Sequence, residues 1–105
     1  MLDTLPLGVV KLTDQGVITY CNTTEALHAG VEKASAIGLN FFTELVPCTN
    51  NRIIFGRFQA GVLERRLHEE FRYTLNSKGL PTLVTMLLHR DRHSASNWIL
   101  IKYAP

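Results

Sequence analysis

The sequence has no apolar run approaching the ~20 residues that a helix needs to cross a bilayer. No positively charged start leads into a signal-like stretch either, so a cytoplasmic protein off the membrane is expected. Cysteine is scarce, with only Cys21 and Cys48 among 105 residues. Two cysteines make no disulfide framework, and in a reducing compartment both stay thiols. No Cys/His spacing suggests a metal site. Charge of one sign is lacking too. The formal net charge of +2 is too small to argue for nucleic acid. No repeat or low-complexity segment interrupts the chain. What is present is a chain of one-domain length, residues 1–105, whose 46% apolar content is that of a globular protein with a single core.

Leu7–Thr13 and Val17–Cys21 are β-rich runs around the polar turn Asp14-Gln15-Gly16 and predict a hairpin. Asn22 is a good N-cap, and Glu25, three residues on, can return a bond to the cap backbone. A helix is expected over Thr23–Ala29 with Gly30 as its stop, then a helical turn over Lys33–Ile37 ending at Gly38. After position 50 the period is helical, with Ile54, Phe55, Phe58 and Val62 on one stripe of a helix over Asn51–Leu63. Gly56 and Gly61 weaken that helix and allow close packing. The period then changes to two. Leu67–Leu75, Leu83–His89 and Asn97–Tyr103 read as antiparallel strands, with a turn at Asn76–Gly79, Pro81 at a strand entry, and a polar loop over Arg90–Ser96. The order predicts an α+β fold, a five-stranded antiparallel sheet with short helices on one face.

The stretch Asn40–Asn50 carries the most specific chemistry. Phe41–Leu45 suits a short helix that Pro47 ends, presenting Cys48 on a rigid turn. Cys48 is then either a packed thiol or one held ready for a bond. No histidine with an orienting partner lies near it in sequence, so catalysis is not expected. His28 is expected at a rim or in solvent, and His68, His89 and His93 at the surface. Arg65, Arg66, His89, Arg90, Arg92 and His93 form a basic group, a solvated face or a site for an acidic partner.

Both faces of the predicted sheet carry apolar side chains. Leu83 and Leu87 oppose Val84, Met86 and Leu88, and Trp98 and Leu100 oppose Ile99, Ile101 and Tyr103. Helices on one side cover one face only. The face of Val84, Met86, Leu88, Ile99, Ile101 and Tyr103 is expected to be open and to meet a second copy or a neighbouring signalling domain.

Ten segments run in register from about Leu5 to the C-terminus with the PAS domains. They are Gly8-Val9-Val10, Gly16-Val17-Ile18, Asn22 with Glu25, Ile37-Gly38, Asn40-Phe41-Phe42, Val46-Pro47-Cys48-Thr49, Gly56-Arg57-Phe58, Phe71-Arg72-Tyr73-Thr74, Pro81-Thr82 and Trp98. Within that superfamily the chain most resembles the photoactive yellow protein family. The resemblance implies a sensory or signalling module, not an enzyme, with a small-ligand pocket or a dimerisation surface. It also implies the alternative of a blue-light photoreceptor. In that family the cysteine matching Cys48 holds p-coumaric acid as a thioester, and the residue matching Glu25 is a buried proton donor.

The family's tyrosine partner of the phenolate falls at Cys21, with Tyr20 next to it on the opposite strand face. The supporting threonine becomes Ala29 and the shielding arginine Val31. The family's N-terminal cap is expected to be missing. The pocket implied by the resemblance involves Cys48, Glu25, Cys21, Phe41, Phe42, Thr49, Phe58 and Phe71.

Overall fold

A computed structural model describes residues 6–77, 80–91, 93–94 and 96–103. The elements follow the expected order: β1 (Gly8–Leu12), β2 (Ile18–Cys21), α1 (Thr23–Ala29), α2 (Lys33–Ala36), a π-type turn (Phe41–Leu45), a 3-10 turn (Pro47–Thr49), α3 (Phe55–Glu64), β3 (His68–Ser77), β4 (Leu80–Asp91) and β5 (Ser96–Tyr103). The five strands form one sheet in the order β2-β1-β5-β4-β3, all pairs antiparallel. Lys78, Gly79 and Arg92, which the sequence places in turn and loop, lie outside the described residues.

Local chemistry explains most boundaries. In the β1–β2 turn, Thr13 Oγ1 accepts from Val17 N at 3.1 Å and Gly16 N bonds Thr13 O at 2.9 Å. α1 begins at Asn22, whose Oδ1 accepts from Glu25 N, and ends at Gly30 in the left-handed region, as read from the sequence. α3 starts at Phe55 rather than Asn51. Asn51 Oδ1 accepts from Ile54 N at 2.9 Å, which holds 51–54 in turns before the helix. Gly61 lets the chain fold back against α3 just before β3: a Cβ there would lie 2.9 Å from Leu67 Cβ and 3.1 Å from its Cα. Pro81 pairs with Asn76 of β3 and precedes the β5 ladder, which starts at Val84. Its missing N–H therefore spoils no central pairing.

The register corrects the assignment of faces. Val84, Met86, Leu88, Ile99 and Ile101 are at most 1% exposed and belong to the core, and Tyr103 packs against that core. This face, expected to be open, is the covered one. The outer face carries Leu83, which is 50% exposed, with Leu87, Trp98 and Leu100 half-buried. Strand alternation separates two faces but does not say which one the helices cover. An apolar strip on the outer face remains, made of the other set of residues.

Candidate functional site

The cysteine turn is built by its neighbours' polar side chains. Asn40 Oδ1 accepts from Phe42 N at 3.0 Å and Thr43 N at 3.2 Å. Glu44 returns a bond to Asn40 N at 2.9 Å, and Asn40 Nδ2 donates to Gln15 O at 2.9 Å, tying the turn to the β1–β2 hairpin. Pro47 then opens the 3-10 turn. Thr49 Oγ1 donates to Val46 O at 2.6 Å, and Asn51 Nδ2 donates to Cys48 O at 3.0 Å and to Tyr73 Oη at 2.8 Å. The result is a half-buried Cys48 on a backbone fixed from both sides. A thiol so placed is held still and within reach of a small molecule.

Glu25 is 1% exposed. Its side chain does not close a capping box. The Asn22 N–H that such a box needs is already bonded to Val9 O at 3.0 Å. The carboxyl turns inward, where Tyr103 Oη donates to its Oε1 at 2.6 Å. Burial pushes the Glu25 pKa up to about 7, opposed by the Tyr103 bond. A carboxyl in apolar surroundings is easier to keep neutral than charged. The Tyr103 hydroxyl is pushed well above its ordinary range, first by burial, then by the charge and hydrogen bond of Glu25, and less by Cys21 and Cys48. The Tyr103 ring stacks on His28, with centroids 3.5 Å apart and planes 8° from parallel. Burial lowers the pKa of His28.

Gly8 makes the space for this carboxyl. A Cβ on Gly8 would collide with Glu25 Oε1 and lie 3.2 Å from its Cβ. Sequence reasoning missed this role, and it assigned Tyr103 to an outer interface. Tyr103 stands 78 positions from Glu25, so no local pattern links them. The available signal was the uniformly apolar alternation of Ile99 and Ile101, which marks a core face that Tyr103 extends.

The other candidates fall into separate groups. Cys21 is buried opposite Val10 on the inner face and also borders an apolar depression of about 360 Å³ lined by Tyr20, Lys33, Ala34 and Ile37. β2 does contain a bulge, where the register shifts between Lys11 and Leu12. Tyr20 nevertheless stays on the outer side, against Trp98 at 6.4 Å, and does not replace the missing phenol. Phe41, Phe42 and Phe58 are fully buried. Phe42 stands at the centre of an aromatic group, 4.6 Å from Phe55, 4.9 Å from Phe58 and 5.1 Å from Phe41. Phe71 is partly buried under the Arg57 guanidinium at 4.7 Å. The Thr49 hydroxyl is spent on the turn itself. Ala29 and Val31 pack against the core. Among the described residues no cluster of His, Cys, Asp and Glu could hold a metal ion, and no helix is long and apolar enough to cross a membrane.

A five-stranded antiparallel sheet in the order 2-1-5-4-3, with short helices and a thiol turn on one face, defines the class: residues 1–101 match the PAS fold, and the chain belongs to the PAS family. Its likeness within that family is to photoactive yellow proteins. It is 33% identical over 101 residues to the photoactive yellow protein of Rhodothalassium salexigens, a match covering 96% of this chain and 81% of that protein. Identity to the photoactive yellow protein of Halochromatium salexigens is 32% over 101 residues, with coverage of 96% and 81%. A crystal structure of the photoactive yellow protein domain from the sensor histidine kinase Ppr of Rhodospirillum centenum matches with a TM-score of 0.89 at 33% identity. That match covers 96% of this chain and 94% of that one. The chain is thus a PAS sensory domain similar to photoactive yellow protein.

Proposed function

We propose that this sensory domain takes a small phenolic ligand between Cys48 and Glu25, and that the ligand is p-coumaric acid joined to the Cys48 sulfur as a thioester. The observation that carries the reading is the Tyr103–Glu25 hydrogen bond of 2.6 Å. At the position of the family's phenolate-binding tyrosine this chain has Cys21, a weak donor. Tyr103 supplies a phenol to the same carboxyl from the far end of the sequence. A buried charged oxygen needs good partners; Glu25 offers one, and Tyr103, whose single proton goes to Glu25 Oε1, acts by holding that carboxyl in place.

The residues fit the group on three counts. Cys48 is half-buried on a fixed turn, Glu25 is buried and inclined to stay neutral, and the bare Gly8 backbone leaves its carboxyl room. When bound, p-coumaric acid supplies absorption of blue light and a double bond that isomerises. Cys48 Sγ would hold the group as a thioester, its thiol proton leaving with the leaving group of an activated acyl donor. Glu25, neutral below pH about 7, can hold a hydrogen bond to a phenolate and later give it the carboxyl proton. Tyr103 Oη, donating to Oε1, keeps the carboxyl in one orientation while it does so. Loss of that proton leaves a buried carboxylate beside Tyr103 at the end of β5. That is the step able to bias the strand end and whatever follows it.

The test is intact-mass measurement after incubation with an activated p-coumaric acid derivative. The expected result is a single adduct on the wild type and none on Cys48→Ala. No adduct on the wild type, or an adduct that persists in Cys48→Ala, contradicts the reading.

A second reading, compatible with the first, rests on the outer face. Leu83 is 50% exposed beside half-buried Leu87, Trp98 and Leu100, a strip suited to a second copy of the chain. Sedimentation should show a dimer that Leu83→Asp converts to monomer. A strict monomer at high concentration for the wild type removes the homodimer and leaves a neighbouring signalling domain as the occupant.

A further inference from the structure

The C-terminal end of α3 and the adjoining end of the β3–β4 ladder enclose a cleft of about 390 Å³ lined by Arg65, Arg66, Leu67, His68, His89 and Arg90. None of these residues belongs to the Cys48–Glu25 site. We propose that this cleft binds the phosphate group of a small phosphorylated ligand.

The lining is unusually rich in cations for a chain of net charge +2. Arg90 Nη1 is engaged by Asp14 at 2.6 Å and by Asn97 at 2.9 Å, which anchors it as one wall. Among the described residues the other ion pair is Arg57–Glu69, so Arg65 and Arg66 have no carboxylate within ion-pair distance there. Asp14, the nearby acid, has its pKa lowered mainly by Arg90 and only weakly by Arg65. Two adjacent guanidinium groups thus line the cleft with no ion-pair partner among the described residues. The C-terminal end of α3 itself disfavours an anion, but two of its carbonyls are already bonded, Arg65 N to Val62 O at 3.1 Å and Arg66 N to Gly61 O at 3.0 Å, and three arginines of the lining oppose that field.

The placement of Arg65 is the second observation. It is the residue with positive φ other than glycine among those described, at φ 57°, in the C-cap position of α3. Glycine is the residue of least strain there. The arginine carries this backbone cost while its side chain lines the cleft. The opposite wall is the cross-strand pair His68–His89, with Nδ1 atoms 3.1 Å apart, one ring donating and the other accepting. That bond fixes both imidazoles. Guanidinium forks match the oxygens of a phosphate bidentately, and the enclosed volume is of small-molecule size. An extended acidic peptide needs cations spaced along a strand, whereas these crowd one end of a ladder.

The test is a titration of the full chain with inorganic phosphate and with pyrophosphate, followed through backbone amide shifts at constant ionic strength. The prediction is saturable shifts at Arg65, Arg66, His68, His89 and Arg90, stronger for pyrophosphate. Arg65→Gly should weaken binding by about tenfold, the loss of one charge-assisted bond, without lowering the melting temperature. Arg66→Gln should weaken it similarly and provides a second arm on an unstrained residue. Non-saturable shifts, equal shifts with chloride alone, undiminished affinity in both variants, or saturation by a poly-glutamate peptide but not by phosphate would each overturn the proposal.

Discussion

Replacing Glu25 by glutamine should stabilise the fold by on the order of 3 kcal/mol at pH 8 and by nothing at pH 4. The buried carboxyl has its pKa raised from 4.5 to about 7. In the unfolded chain the group ionises near its ordinary value. Between the two the folded state holds a proton that the unfolded state has released, so stability falls as pH rises through this window and is flat above it. Each pH unit is worth about 1.4 kcal/mol, which makes roughly 3 kcal/mol the upper bound for the interval. Glutamine keeps the shape and an oxygen to accept from Tyr103, and it removes the ionisation. Urea midpoints at pH 4, 6 and 8 check this. A gain that is the same at all three, or absent at pH 8, means that Glu25 is not held neutral by burial.

Gly8→Ala should destabilise by about 2 kcal/mol, the ordinary cost of forcing a methyl group into filled space. The added carbon would meet Glu25 Oε1 and stand 3.2 and 3.3 Å from its Cβ and Cδ. β1 cannot yield readily, because Gly8 pairs with Ile101 of β5 in the middle of the sheet. The carboxyl and α1 must therefore give, which breaks the Tyr103 bond. The pH dependence of stability should shrink along with it as Glu25 moves toward water. In a double-mutant cycle with Glu25→Ala, the glycine substitution should cost far less once the carboxyl is gone. Additivity within about 0.5 kcal/mol would mean that the two positions do not press on each other.

Local features of the fold were legible. Asn22 and Gly30 mark both ends of α1 because each forms its bonds within a few residues, and Pro47 with Cys48 marks the thiol turn. Two errors share one cause, which is that sequence pattern carries little information across long separations. Val84, Met86, Leu88, Ile99 and Ile101 are core, not surface. The polar Thr85, His89 and Lys102, interleaved on the other face, were the available signal. Glu25 fits a capping box by spacing, but the Asn22 N–H is spent on Val9 O, 13 residues back. The phenol that position 21 lacks arrives at Glu25 from Tyr103, where no alignment to position 21 would look for it.

The most direct test of the account is the absorption spectrum at neutral pH of the protein loaded with p-coumaric acid on Cys48, recorded folded and in denaturant, with Tyr103→Phe alongside. The expected result is a visible band in the folded protein that disappears on unfolding and is weakened or shifted in Tyr103→Phe. An adduct whose spectrum is the same folded, unfolded and in the variant would show that Glu25 and Tyr103 do not form the ligand's phenolate site.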